Sequence, residues 1–123
     1  MIAQIAHVYA MGCVAISFFQ IALILGAPLG RYTQGGQHPG ALPIMGRVLA
    51  ALSIFLLLLM GLAILSAAGF PGLDWPRWTG WVALGIQSLS MVANWITPSK
   101  PERALWGPVT TVLAAMALVV MTA

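Results

Sequence analysis

Four long apolar runs, separated by three short polar connections, leave this chain few ways to fold. The runs cover about residues 2–25, 44–68, 78–96 and 106–122. Each approaches the ~20 residues that a helix needs to cross the hydrocarbon core of a bilayer. A soluble domain carries about a quarter charged residues; here the share is 6%. Such a chain cannot cover itself with polar surface, so lipid is its expected solvent. The expected fold is all-α: an integral membrane four-helix bundle, one transmembrane domain over residues 1–123. The first run has no basic leader and exceeds the apolar segment of a signal peptide, so it is expected to be a retained helix.

Small residues predict how these helices meet. Burial of apolar surface does not drive association in lipid; close backbone approach and hydrogen bonding do. In the first run Ala3, Ala6, Ala10, Cys13, Ser17 and Gln20 recur at alternating steps of three and four. The third run repeats the pattern with Gly80, Ala83, Gln87, Ser90 and Asn94, and the fourth with Gly107, Thr110, Ala114, Ala117 and Met121. In the second, Gly46, Ala50 and Ser53 give way to the bulky IFLLLLM segment, which is expected to face lipid. A sustained period near 3.5 predicts left-handed packing. The halves also suggest a two-helix unit used twice, as a parallel repeat.

The connections carry the polar residues. The first, Gly26 to Arg47, contains the turn signals Gly35-Gly36 and Pro39-Gly40. It has little serine or charge, so it is expected to be ordered. The second groups Trp75, Trp78 and Trp81 as an interfacial belt around Asp74 and Arg77. The third holds Lys100, Glu102 and Arg103. Arg31, Arg47, Lys100 and Arg103 place the first and third connections on the cytoplasmic side, and both termini on the periplasmic side of a bacterial inner membrane.

Little points to catalysis or to a cofactor. A net charge of +3 spread over several loops is no nucleic-acid footprint. The single cysteine, Cys13, excludes an internal disulfide, a CxxC redox pair and a thiolate metal cluster. His7 and His38 are expected at opposite membrane faces, so they cannot share one haem or metal ion. Each alone could ligate a pigment or haem, and the plainer reading is a hydrogen-bonded interfacial histidine. Asp74 and Glu102 are both placed in loops, which leaves no acid or lysine at depth in a helix. Ionisable groups inside the membrane mark proton relays and ion-coupled transport, so this placement argues against both. The polar residues expected to converge are Gln20, Arg31, His38, Arg47, Asn94, Glu102, Arg103 and Trp106. They form the candidate functional face, and the alternative is that they only fasten helices and loops together. Ala6, Ala10, Cys13, Ser17, Gly80, Ala83, Gln87 and Ser90 form the candidate packing seam.

The run GAPLGRYTQGGQHPGALPIMGR, and later NWITPSKPERALWGPV, resemble the loops of an uncharacterised family of small bacterial four-span membrane proteins. That family carries a GAPxG…GGxHxGxLP…R first loop and an N…SxxERxxWxPV later segment. The corresponding residues here include Gly26, Pro28, Gly30, Gly36, His38, Pro43 and Arg47, then Asn94, Ser99, Glu102, Arg103, Trp106 and Pro108. The family has no assigned activity, so the resemblance marks residues and not a reaction. Small multidrug exporters are similar in size and span count, but they need a carboxylate in the first helix, and this chain has none there. GAPLGRY is similar over a handful of residues to a segment of four-span fluoride channels, whose pore asparagine and paired phenylalanines find no match.

Two functions are therefore expected. The first is an accessory subunit without chemistry of its own, docked on a larger photosynthetic or respiratory inner-membrane complex. The alternative is a small homo-oligomeric channel or carrier for a solute or ion. A membrane enzyme using His38 with Arg31 or Glu102 ranks behind both. The expected partners are membrane lipid and either a larger complex or further copies of the chain, with a bound lipid or pigment compatible with each.

Overall fold

The apolar runs become four helices, and no strand forms: α1 (Ile2–Ile24), α2 (Ile44–Ala67), α3 (Arg77–Ile96) and α4 (Lys100–Thr122). The structure is a computed structural model and describes residues Met1 to Ala123. α1, α2 and α4 are long and apolar enough to cross a membrane. α3 is less apolar because Thr79, Gln87, Ser88, Ser90 and Asn94 interrupt it.

Glycine ends the first two helices. After Leu25 the chain turns through Gly26 at φ +94°, and the amides of Gly26 and Ala27 return to the carbonyls of Leu23 and Ala22. α2 ends in the same way, with Gly69 at φ +87° and bonds from Gly69 and Phe70 to Ser66 and Leu65. This paired bonding satisfies carbonyls that a helix C-terminus otherwise leaves open.

α4 corrects the sequence reading. It begins at Lys100, six residues before the expected start at Trp106. Ser99 caps it by accepting from the Glu102 amide, and Pro101 stands in the first turn, where its missing N–H costs nothing. Glu102 therefore lies in a helix and not in a loop, and it is buried. Pro108 is carried inside the helix. Thr110 and Thr111 bond back to carbonyls of the adjoining turn.

The helices run alternately up and down. Gly61 of α2 rests on Ala10 and Cys13 of α1, while Leu23 near the other end of α1 packs with Leu42 and Ala50. Gly80 meets Met121, and Trp95 bonds to Thr111, so α3 and α4 are likewise antiparallel. The broadest interfaces are α1 with α2 and α3 with α4; that between α2 and α3 is thinner. The main core lies toward the end that holds the termini, around Tyr9, Cys13, Ile64, Ala83, Ala117 and Met121. Leu23, Leu42 and Ala50 form a second, smaller core at the opposite end. Large apolar side chains such as Phe18, Leu52, Phe55, Leu59 and Leu89 cover the outside. That surface suits lipid as solvent.

The first connection is folded under the bundle. Two short 3₁₀ turns, Gly30–Tyr32 and Gln34–Gly36, are closed by the Gly30 amide donating to the Gly40 carbonyl (3.0 Å) and Arg31 to Pro39 (3.3 Å). A side chain at Gly30 would collide with the backbone carbonyls of His38 and Gly40. Leu42 is inserted into the small core, and the Arg47 Nε–H donates to its carbonyl (2.9 Å).

Candidate functional site

Between the two cores the helices leave a polar chamber of about 250 Å³. Its walls are built from one face of each helix. α1 contributes Ile16, Phe19 and Gln20, and α2 contributes Ser53, Leu56, Leu57 and Met60. α3 adds Ile86, Gln87, Ser90 and Asn94, and α4 adds Glu102, Trp106 and Thr110. Thr33 of the first connection completes the lining. The other seven polar members lie on the small-residue patterns of α1, α3 and α4, on α2's short equivalent, and on the newly assigned first turn of α4.

The floor is a hydrogen bond between α1 and α3. The Tyr9 hydroxyl donates to Gln87 Oε1 at 2.9 Å, and both residues are at most 3% exposed. That bond fixes the Gln87 carboxamide with its Nε2 unpartnered and reachable from the chamber. Asn94 donates to the Ser90 carbonyl (2.7 Å) and to the Ser90 hydroxyl (3.3 Å), which leaves Oδ1 as a free acceptor. Gln20 lines the same space without a protein partner.

The roof is Glu102, 8% exposed. A short relay holds its position. The Ser99 amide donates to Thr97 Oγ1 (3.3 Å), and the Thr97 hydroxyl donates to Glu102 Oε1. Thr97 is itself buried, so this carboxyl oxygen is fixed from outside the chamber. The second oxygen has no protein partner. Glu102 and Asn94 also border a recess on the outer surface, beside Gln34, Gly35, Thr97 and Pro98. They stand where the chamber meets the loop end of the bundle. Trp106 closes one side, edge-on to Phe19 with ring centroids 4.9 Å apart.

Of the expected functional face, Gln20, Asn94, Glu102 and Trp106 come together here. The other four do not join them. The Arg31 guanidinium lies over the Tyr32 ring, and Arg31 is exposed. Its carbonyl accepts from Ser99 Oγ (2.5 Å), which ties the first connection to the third. His38 is exposed and lines no part of the chamber. Arg47 holds the Leu42 carbonyl and lies against Gly26. Arg103 Nη1 donates to the Thr97 carbonyl (3.2 Å). His7, on α1, donates from Nδ1 to the Ala3 carbonyl (2.6 Å) and packs against Phe70.

The packing seam is partly functional surface. Ala6, Cys13, Ser17, Gly80 and Ala83 are buried between helices, and Ala10 is half-buried. Ser17 bonds to the Cys13 carbonyl (2.8 Å). Gln87 and Ser90 belong to the chamber as well as to the seam. Tyr9, Ser53, Thr97 and Thr110 were outside both expected sets. Tyr9 carried one usable signal: it is the polar aromatic beside Ala6 and Ala10 on a seam already assigned to helix contact.

The fold and this site define an all-helical, membrane-type protein with a polar chamber among its helices. Comparison of the chain with protein-family models, curated proteins and solved structures gives no match.

Proposed function

We propose that the protein is a four-span membrane protein that binds a small solute in the α1–α4 chamber, as a carrier or a solute-retaining subunit does. The observation that carries this reading is the pair of buried polar side chains, Gln87 and Glu102, each offering an unpartnered atom to one cavity. Both free atoms are open to the cavity, since no enclosed side-chain nitrogen or oxygen in the chain lacks a partner. A bound solute or water can supply the partners that the protein does not. α3 spans the membrane in this reading despite its polar residues, because Gln87, Ser90 and Asn94 face the chamber and not lipid. The helices pack left-handed as two related hairpins. Arg31, Arg47, Lys100 and Arg103 put the open end at the cytoplasm and both termini in the periplasm.

A docking role on a larger inner-membrane complex is the second reading. It is supported by the bulky outer stripe of α2, where Leu52, Phe55 and Leu59 are exposed and lie off the chamber's polar side. The two readings are compatible, since a docked subunit can also hold a solute.

Native mass spectrometry of the protein released from mild detergent tests the binding reading. The expected spectrum shows a bound mass that is absent from a Ser90→Phe variant, whose ring fills the chamber. A spectrum of bare protein under all conditions, with no solute able to shift it, overturns the reading. Co-release with a larger assembly would support docking.

A further inference from the structure

A second, apolar space shares a wall with the chamber. A groove of about 250 Å³ runs along the outside of the α2–α3 interface, lined by Leu59, Ala63, Trp78 and Val82 among others. Leu56, Met60 and Ile86 line both spaces. The polar end lies near Asn94 and Glu102 at the loop end, and the apolar end lies toward Trp75 and Trp78 at the opposite end. Between Asn94 and Val82, α3 advances about 18 Å at 1.5 Å per residue. Taken end to end, the two adjoining spaces are polar at the loop end and apolar at the other.

The polar end presents acceptors beside aromatic rings. Glu102 offers a carboxyl oxygen, Asn94 offers Oδ1, and Trp106 and Phe19 stand beside them. The arginines of the same end are engaged elsewhere: Arg47 at the Leu42 carbonyl, Arg103 at the Thr97 carbonyl and Arg31 over Tyr32. A carboxyl group beside aromatic rings, with no arginine turned toward it, favours a compact ammonium over an anion or a neutral polar head.

We propose that the two adjoining spaces act as one site for an amphiphilic cation, with its ammonium at Glu102 and Trp106 and its apolar chain along the α2–α3 groove. This assignment rests on the chamber-binding reading above and names the ligand class for it. The shared chemistry, an ammonium on an apolar chain, is found both in free amine amphiphiles and in aminophospholipids.

The test uses the full chain in nanodiscs of phosphatidylglycerol, with empty nanodiscs subtracted to remove partitioning. Hexyltrimethylammonium, hexanol and hexanoate are titrated while tryptophan fluorescence is followed. The expected result is saturable binding of the ammonium alone, weakened about tenfold or more in Glu102→Gln and in Trp106→Leu. Nanodiscs that also contain phosphatidylethanolamine separate the sources: competition by this lipid assigns the site to lipid, and unchanged binding assigns it to free amines. Equal binding of all three probes, lost in Ser90→Phe but unaltered in Glu102→Gln, overturns the cation assignment and leaves the chamber reading standing. No saturable binding of any probe to the folded protein overturns the cation assignment; native masses then decide the chamber reading separately.

Discussion

The Tyr9 hydroxyl and Gln87 Oε1 meet at 2.9 Å between α1 and α3, where neither residue is accessible to the outside. The bond joins two helices that no single loop connects. It also orients the carboxamide whose nitrogen faces the chamber. Hydrogen bonds between helices in lipid are worth about 0.6 kcal/mol on average and up to about 1.7. A Tyr9→Phe, Gln87→Leu double-mutant cycle, read by unfolding in detergent micelles, is expected to give a coupling of about 1 kcal/mol. A coupling near zero would remove this bond from the account of the fold.

The tie between the two loop segments gives a second prediction. Ser99 Oγ reaches the Arg31 carbonyl at 2.5 Å, and Gly36, at φ +69°, lies directly against Ser99. A Cβ at Gly36 would stand 2.8 Å from the Ser99 Cβ. Gly36→Ala is expected to loosen the first connection and to speed tryptic cleavage after Arg31 several-fold. Ser99→Ala is expected to do the same to a smaller degree and to cost about 1 kcal/mol, because it also removes the α4 cap. Cleavage rates equal to wild type in both variants would contradict the tie.

Two other glycines separate packing from propensity. Gly30 has the backbone carbonyls of His38 and Gly40 against it, and backbone cannot move aside cheaply. Gly85 lies within α3 and has open space where a side chain would be. Gly30→Ala is therefore expected to destabilise by more than about 2 kcal/mol. Gly85→Ala is expected to stabilise by about 0.5–1 kcal/mol through helix propensity. Thermal melts of the two variants should move in opposite directions.

Arg77 supplies a fourth prediction. From the start of α3, its Nη2 donates to the Met121 carbonyl at the end of α4 (2.9 Å), and Nη1 reaches the Ala67 carbonyl at the end of α2 (3.5 Å). A cation at two helix C-termini satisfies open carbonyls and complements both dipoles. Arg77→Gln is expected to cost about 1 kcal/mol and to raise hydrogen exchange in the last turns of α2 and α4. Exchange that changes in neither helix would contradict the capping role.

The helices were legible in the sequence to different degrees. The bounds of α1, α2 and α3 follow from apolar runs with glycine and proline at their ends, and the structure places them within one residue of expectation. The start of α4 did not follow. Lys100, Glu102, Arg103 and two prolines made the segment read as a loop, although Ser99 with Glu102 three residues later is a helix-start pattern. This one misreading hid the central residue of the site. Glu102 stands in the first turn of α4 and is buried, which corrects its expected place in a loop. The convergence of Gln20 and Asn94 was legible because small-residue periodicity fixes a helix face. The departure of His38 and Arg47 from that group was not, because loop backbone direction is set by contacts such as Gly30 with Gly40 that no periodicity records. Tyr9 was hidden among apolar neighbours whose pattern masks a single hydroxyl.

The central claim is that the chamber admits small polar molecules, which enter past Asn94 and Glu102 at the loop end. Thiol accessibility tests it most directly. Ser90→Cys, in a Cys13→Ala background, would be exposed in oriented membranes to a small charged methanethiosulfonate applied from either side, with the buried Ala83→Cys as control. The account predicts rapid labelling of position 90 from the cytoplasmic side, slowed when the chamber is filled by a bound solute, and none at position 83. Position 90 as inert as position 83 from both sides would contradict it.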